Sequence, residues 1–165
     1  MAKVKITTVE EALKAVRKDG RALENVPENL KTAEIYLEVV ENNDFSLDDV
    51  PENYRTADVC LGAVKRNGGN LQFVPENLKT AEICHEAVMD YSNAFEYVPE
   101  NLWTVEICFE AIKHNLIQMA YTTDFRGERD STISKLRAEN ADIFKAMPEE
   151  MRDEVRRRLD NEGLN

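Results

Sequence analysis

Apolar and polar positions along the chain form two alternating textures. One is a stretch of about three helical turns in which apolar residues recur at three- and four-residue spacing, as in Ala81, Cys84, Ala87 and Val88, the stripe of an amphipathic helix. The other is a shorter, denser apolar cluster such as Leu71-Gln72-Phe73-Val74, closed by Pro75. Proline restricts the residue before it and cannot continue a helix interior. Together they predict one helix, one short helical turn and a Pro-Glu-Asn-Leu bend, after which the pattern begins again.

The alternation has a fixed period. Val-Pro-Glu-Asn recurs at 26–29, 50–53, 74–77 and 98–101, each copy 24 residues after the last. Threonine holds positions 8, 32, 56, 80 and 104 in the same register, followed two residues later by Glu10, Glu34, Asp58, Glu82 or Glu106. Threonine is a good N-cap, and an acid in the first turn faces the positive end of the helix dipole. Eight residues after each threonine stands Val16, Val40, Val64, Val88 or Ile112, and fifteen after it Leu23, Leu47, Leu71, Phe95 or Met119. Gly20 and Gly68 fall where such a helix would take a left-handed residue after its last turn. The columns predict an all-α fold, a short α-solenoid of about five 24-residue helical repeats. Leucine-rich repeats share this length, but their Leu-x-x-Leu-x-Leu strand signature is missing and the longer segment has helical period.

After the fourth copy the pattern breaks. Thr122-Thr123-Asp124 stands where the next Val-Pro-Glu belongs, and Arg126-Gly127-Glu128-Arg129 reads as a loop. Asp130 or Ser131 would cap a helix running to about Ala146, and Pro148 would start a last helix ending near Gly163. Met147-Pro148-Glu149-Glu150-Met151 resembles a worn Val-Pro-Glu-Asn-Leu, one residue out of register. A repeat stack needs an atypical terminal unit to seal its last apolar face. Residues 1–125 are therefore read as the repeat array and 126–165 as C-terminal capping helices.

The pattern Leu-x-x-Val-Pro-Glu-Asn-Leu-x-Thr-x-Glu-Ile-Cys-x-x-Ala-Val, clearest across 71–88, resembles the bacterial helical tandem repeats of the domain of unknown function 4116 family. The resemblance spans roughly residues 8–121 and rests on four intact copies. It implies a helical repeat architecture and no established activity, so it carries no catalytic or ligand residues onto this chain.

Charge narrows the choice of partner. Of 165 residues, 42% are apolar and 32% charged, and the formal net charge is −11. Residues 126–165 carry 9 basic and 10 acidic side chains, which leaves 12 basic and 22 acidic in residues 1–125. Such a field repels nucleic acid and anionic lipid and favours a protein with a basic surface. No signal-peptide run and no membrane span appears, so a cytoplasmic location is expected. Cys60, Cys84 and Cys108 lie one period apart; they read as one buried structural position seen three times, in a reducing compartment.

Chemistry is sparse. Glu28, Glu52, Glu76 and Glu100, like Asn29, Asn53, Asn77 and Asn101, recur because the bend recurs, and catalytic groups belong to unique sites. His85 replaces Leu13, Leu37, Leu61 and Phe109 in its column and reads as a partly buried substitution. His114 is placed near the end of the fifth helix, where a cation suits the dipole. A Cys84-His85-Cys108 metal site lacks any zinc spacing, and phosphate loops, dinucleotide motifs and serine elbows are absent. No enzyme activity, metal or cofactor is expected.

Two surfaces remain as partner-binding candidates. Phe73 and Tyr97 share a column with Asn25 and Asp49, and Trp103 replaces Lys31, Arg55 and Lys79. These aromatics form either a binding patch or a seat for the C-terminal cap. Glu38, Glu86 and Glu110 share one acidic column, and Glu24, Asp48 and Glu96 another. The expectation is a non-enzymatic protein–protein interaction module, a scaffold or adaptor. The alternative is an acidic inhibitor or decoy that occupies a basic nucleic-acid-binding surface of its partner. The chain is expected to be a monomer, or a weak homo-oligomer through Ile6 and the apolar face of 9–16, which no preceding unit covers.

Overall fold

The computed structural model describes residues 6–42, 45–122 and 129–164, and among these it is all-helical. Four ten-residue helices, α1 (Val9–Lys18), α2 (Ala33–Asn42), α3 (Ala57–Arg66) and α4 (Ala81–Asp90), follow the 24-residue period. Each leads into a tight 3₁₀ segment and then a second, three-residue one. The first of these spans Gly20–Asn25, Leu47–Asp49, Gly68–Phe73 and Ser92–Tyr97 in turn. The second spans Glu28–Leu30, Glu52–Tyr54, Glu76–Leu78 and Glu100–Leu102, so the Pro-Glu-Asn-Leu bend is a 3₁₀ turn opened by its proline. Three longer helices follow: α5 (Val105–Thr122), α6 (Arg129–Ala146) and α7 (Glu149–Asn161).

The threonine column caps helices as its spacing predicts. The hydroxyls of Thr8, Thr56 and Thr80 accept the backbone N–H of Glu11, Val59 and Ile83. Thr32 and Thr104 do the same for Ile35 and Ile107, at 3.4 and 3.2 Å. Each such cap stabilises its helix by ~1 kcal/mol.

The glycines act otherwise than the sequence suggests. The helices end on extended residues, Asp19 (φ −157°) and Asn67 (φ −156°), and the one positive φ among the described residues is that of Gly163 at 68°. Gly20 and Gly68 are therefore not left-handed caps; each opens a 3₁₀ segment. At Gly68 the requirement is space, since a Cβ there would lie 2.2 Å from the carbonyl oxygen of Ala87 in α4. Its N–H donates to Asp90 Oδ2 at 2.7 Å, which holds the two units together at that point.

Consecutive helices pack in chain order from α1 to α5, and α5 receives both α6 and α7. Val16, Val40, Val64 and Ile112 are wholly buried and Val88 nearly so, each worth ~1.5–3 kcal/mol of transfer free energy. Helix α5 continues for 18 residues where the earlier helices stop at ten and give way to a 3₁₀ segment. His114 is consequently in mid-helix, not near a C-terminus where the dipole would favour its charge.

In the tail, α7 packs on α5. Met147, Val155 and Leu159 are buried, and Met151 Sδ lies 4.0 Å from Cys108 Sγ. Pro148 is the N-cap of α7. The worn repeat keeps a bond seen in the intact ones: Arg152 donates to the Met147 carbonyl five residues back at 3.0 Å. Arg55 braces Val50 in the same way at 2.8 Å, and the Trp103 indole braces Val98 at 3.1 Å. Since α6 already begins at Arg129, Asp130 and Ser131 lie inside the helix and neither is its cap. The rest of the expected 126–129 loop lies outside the described residues.

Candidate binding site

The aromatic candidates are tied into the framework. Phe73 and Tyr97 each end a 3₁₀ segment and are half-buried against the core, not free-standing. Their carbonyls are claimed by the basic column of the preceding unit, Phe73 by Arg55 Nη1 at 3.1 Å and Tyr97 by Lys79 Nζ at 2.9 Å. Trp103 is half-buried too, its ring 5.0 Å from that of Phe95 at a 40° tilt. Met89 and Tyr91, 55% and 46% exposed, are the large apolar side chains that do stand in solvent among the described residues.

The two acidic columns differ. Glu38 is already used between α1 and α2, where it accepts Arg17 Nε and Asn42 Nδ2, each at 2.8 Å. That removes it as a free binding carboxylate. Glu86 and Glu110 are half-buried on α4 and α5. Glu24, Asp48 and Glu96, by contrast, are exposed on the 3₁₀ segments of the first, second and fourth units, the third carrying Gln72 in that column.

A cleft opens where the column of basic residues ends. In earlier units Lys31 pairs with Glu28, and Lys79 with Glu76 at 2.6 Å. Trp103 stands where the next lysine would, so Glu100 has no ion pair among the described residues. Beside it lies a half-open cleft of about 460 Å³ between residues 92–103, α5 and α6. Phe95 and Trp103 supply an aromatic wall; Glu96, Glu100, Glu139 and Asp142 stand against the single ammonium of Lys135. Lys135 is itself 3.5 Å from Glu139. Inside the cleft Asn115 donates to Asn140 Oδ1 at 2.9 Å, a buried bond joining α5 to α6.

Sequence reasoning reached Trp103 and Glu96 but missed Ser92, Glu100, Asn115, Glu139 and Asp142, which also line the cleft. For Glu100 a signal existed: its acid is retained while the lysine three residues on is lost. For the α6 residues none did, because that helix lies outside the repeat register.

The thiols are unsuited to nucleophilic work. Burial pushes Cys60 and Cys84 up to about 11 and Cys108 to about 12, and the thiolate is the reactive form. His85 is half-buried, as its leucine column suggests, and His114 is exposed with Nε2 2.6 Å from the Gln118 amide nitrogen. Among the described residues no three His, Cys, Asp or Glu side chains gather to hold a metal ion. Nor is any described helix long and apolar enough to cross a membrane.

Residues 10–55 and 56–103 each match the family described as Domain of unknown function (DUF4116). The chain belongs to this family. Each DUF4116 match spans two of the 24-residue periods, from the start of α1 through the Glu100–Leu102 turn. The junction cleft therefore joins the last DUF4116 segment to α5 and α6, beyond the matched residues. No curated protein and no solved structure matches the chain.

Proposed function

We propose that the chain is a non-enzymatic protein-binding module, a short α-solenoid of about five units closed by its C-terminal helices, and that it takes a partner with a basic surface. One observation carries the reading. The column of Glu24, Asp48 and Glu96 stays exposed in the first, second and fourth units, with the neutral Gln72 in the third, while Glu38 is spent on holding two helices together. Carboxylates left in solvent in one register, even with a gap at Gln72, concentrate negative charge along one face, which steers a basic partner and sets its register more than it adds affinity. Thiols pushed up by burial favour binding over catalysis.

The test is affinity capture from a cell lysate with mass spectrometry, wild type beside Glu24→Gln/Asp48→Asn/Glu96→Gln. A protein with a basic surface, held by wild type and lost from the variant, is the expected result. Equal capture by both would refute the reading. The excess of acidic residues in 1–125 also favours a decoy for a basic nucleic-acid channel. That form predicts complete release by moderate salt, because such contacts are almost wholly ionic.

A further inference from the structure

The junction cleft is richer in unused hydrogen-bonding capacity than its surroundings. Ser92 and Asn115 face it from the inside and are each only 6% exposed. Neither the Ser92 hydroxyl nor the Asn115 amide oxygen has a hydrogen-bond partner among the described residues. Among the described residues the fully enclosed side-chain polar atom without a partner is Arg152 Nε, so these two largely buried side chains reach the cleft with their polar atoms, where water or a ligand completes them. Around them stand Glu100 and Asp142, with no ion pair among the described residues, and the faces of Trp103 and Phe95.

What fits is a cation rich in N–H donors. The carboxylates and the amide oxygen are acceptors, and the indole wall attracts a cation over its face. A guanidinium meets these demands together: it is planar, always charged, stacks on aromatic rings and offers five donors to carboxylates in a fixed fork. An ammonium would satisfy the carboxylates but not stack. The half-open cleft of about 460 Å³ is also in the range of sites that take a group larger than one side chain, so the backbone beside the cation fits as well.

We propose that this cleft binds an arginine side chain presented by an extended segment of a partner protein. The lysine-to-tryptophan change in the basic column creates the site: it releases Glu100 from the pairing that Glu28 and Glu76 keep, and supplies the stacking surface. The inference deepens the reading of the chain as a protein-binding module and rests on it.

The test uses the full chain and the pentapeptide acetyl-Gly-Gly-Arg-Gly-Gly-amide, titrated against the fluorescence of Trp103, the sole tryptophan. Versions with citrulline or lysine in place of arginine, and spermidine, are the competitors. Arginine peptide is expected to bind, with Glu100→Gln and Asp142→Asn each weakening it about tenfold, the factor for a lost charge-assisted hydrogen bond of ~1.4 kcal/mol. Glu34→Gln, at an exposed carboxylate of α2 that is not part of the cleft, should leave it unchanged. Trp103→Lys, followed by calorimetry, should abolish binding by pairing Glu100 again; a thermal melt establishes that it folds, and the two acid variants decide the matter if it does not. Citrulline or lysine peptide binding as well as arginine, or spermidine binding more tightly than it, overturns the assignment. So does wild-type-like binding by both acid variants, or no binding of arginine peptide below about 10 mM. If the peptide fails while lysate capture still depends on Glu24, Asp48 and Glu96, this inference falls and the module reading stands.

Discussion

Asn70 makes four side-chain hydrogen bonds while only 4% exposed. Its Oδ1 accepts the Leu47 N–H at 2.8 Å and the Ser46 hydroxyl at 2.9 Å, and its Nδ2 donates to the Ala63 and Asn67 carbonyls at 3.0 and 3.1 Å. It thus ties the 3₁₀ segment of the second unit to the third. In Asn70→Ala the damage is uneven. The Ala63 carbonyl keeps the Asn67 N–H, and the Asn67 carbonyl keeps the backbone N–H of residue 70, each at 3.0 Å. The half-buried Ser46 hydroxyl can turn to water. The Leu47 N–H is left buried and alone, which costs ~1–3 kcal/mol, and the lost bond to Ala63 adds ~1 kcal/mol. The expected loss is about 2–4 kcal/mol, a large part of the 5–15 kcal/mol by which domains are stable, and a fall in Tm of roughly 4–16 °C for a chain of this size. Urea and thermal denaturation followed by far-UV circular dichroism would measure it. Gln72→Ala is the control, because Gln72 is exposed and donates only to the Gly69 carbonyl, and its effect should stay within ~0.5 kcal/mol. A loss for Asn70→Ala no larger than that of the control would refute the reasoning.

Further outcomes follow from the same geometry. Gly68→Ala should destabilise by about 1–3 kcal/mol or more in the same assay, because the new methyl meets the backbone oxygen of Ala87, not a side chain that can swing away. Native protein at pH 8 should not react with a disulfide reagent at Cys60, Cys84 or Cys108, whose thiols burial holds at about 11 to 12, while urea should release all three; rapid reaction of the folded chain would contradict their placement. The hydrogen bonds from Arg157 and then Arg158 hold Glu154 at about 2 against an ordinary 4.5. A depressed carboxylate stabilises fully above its unfolded value and less as pH falls through the folded one, so α7 should loosen between about pH 4.5 and 2. Glu154→Gln should flatten that acid limb in a pH titration of helicity; an unchanged profile would show that this pairing is not what acid breaks.

The repeat was legible because its determinants are local. A threonine cap, a helical stripe and a proline each act within a turn or two, and their recurrence at a 24-residue spacing makes the signal plain. The fate of Gly68 was not legible, since it depends on how closely α4 approaches and not on its own dihedral angles. Asn70 shares its column with Ala22, Ser46, Ala94 and Gln118; that it bridges two units is a fact of packing. Glu38 looked like its column mates, and the pairing with Arg17 that takes it out of play spans 21 residues. The cleft was half legible. The array supplies Trp103 and Glu100 in register, but Glu139 and Asp142 come from a helix with no periodic relation to the rest.

The central claim, binding of a basic partner through carboxylates the fold leaves unused, is tested most directly by a three-way capture at low and physiological salt. Wild type would run beside Glu24→Gln/Asp48→Asn/Glu96→Gln, which neutralises the exposed column, and Arg17→Ala/Glu38→Gln, which removes charges the fold has already paired. The account predicts that a basic partner is retained by wild type and by the Arg17/Glu38 variant and lost from the column variant. Retention by the column variant, or equal loss from both, would contradict it.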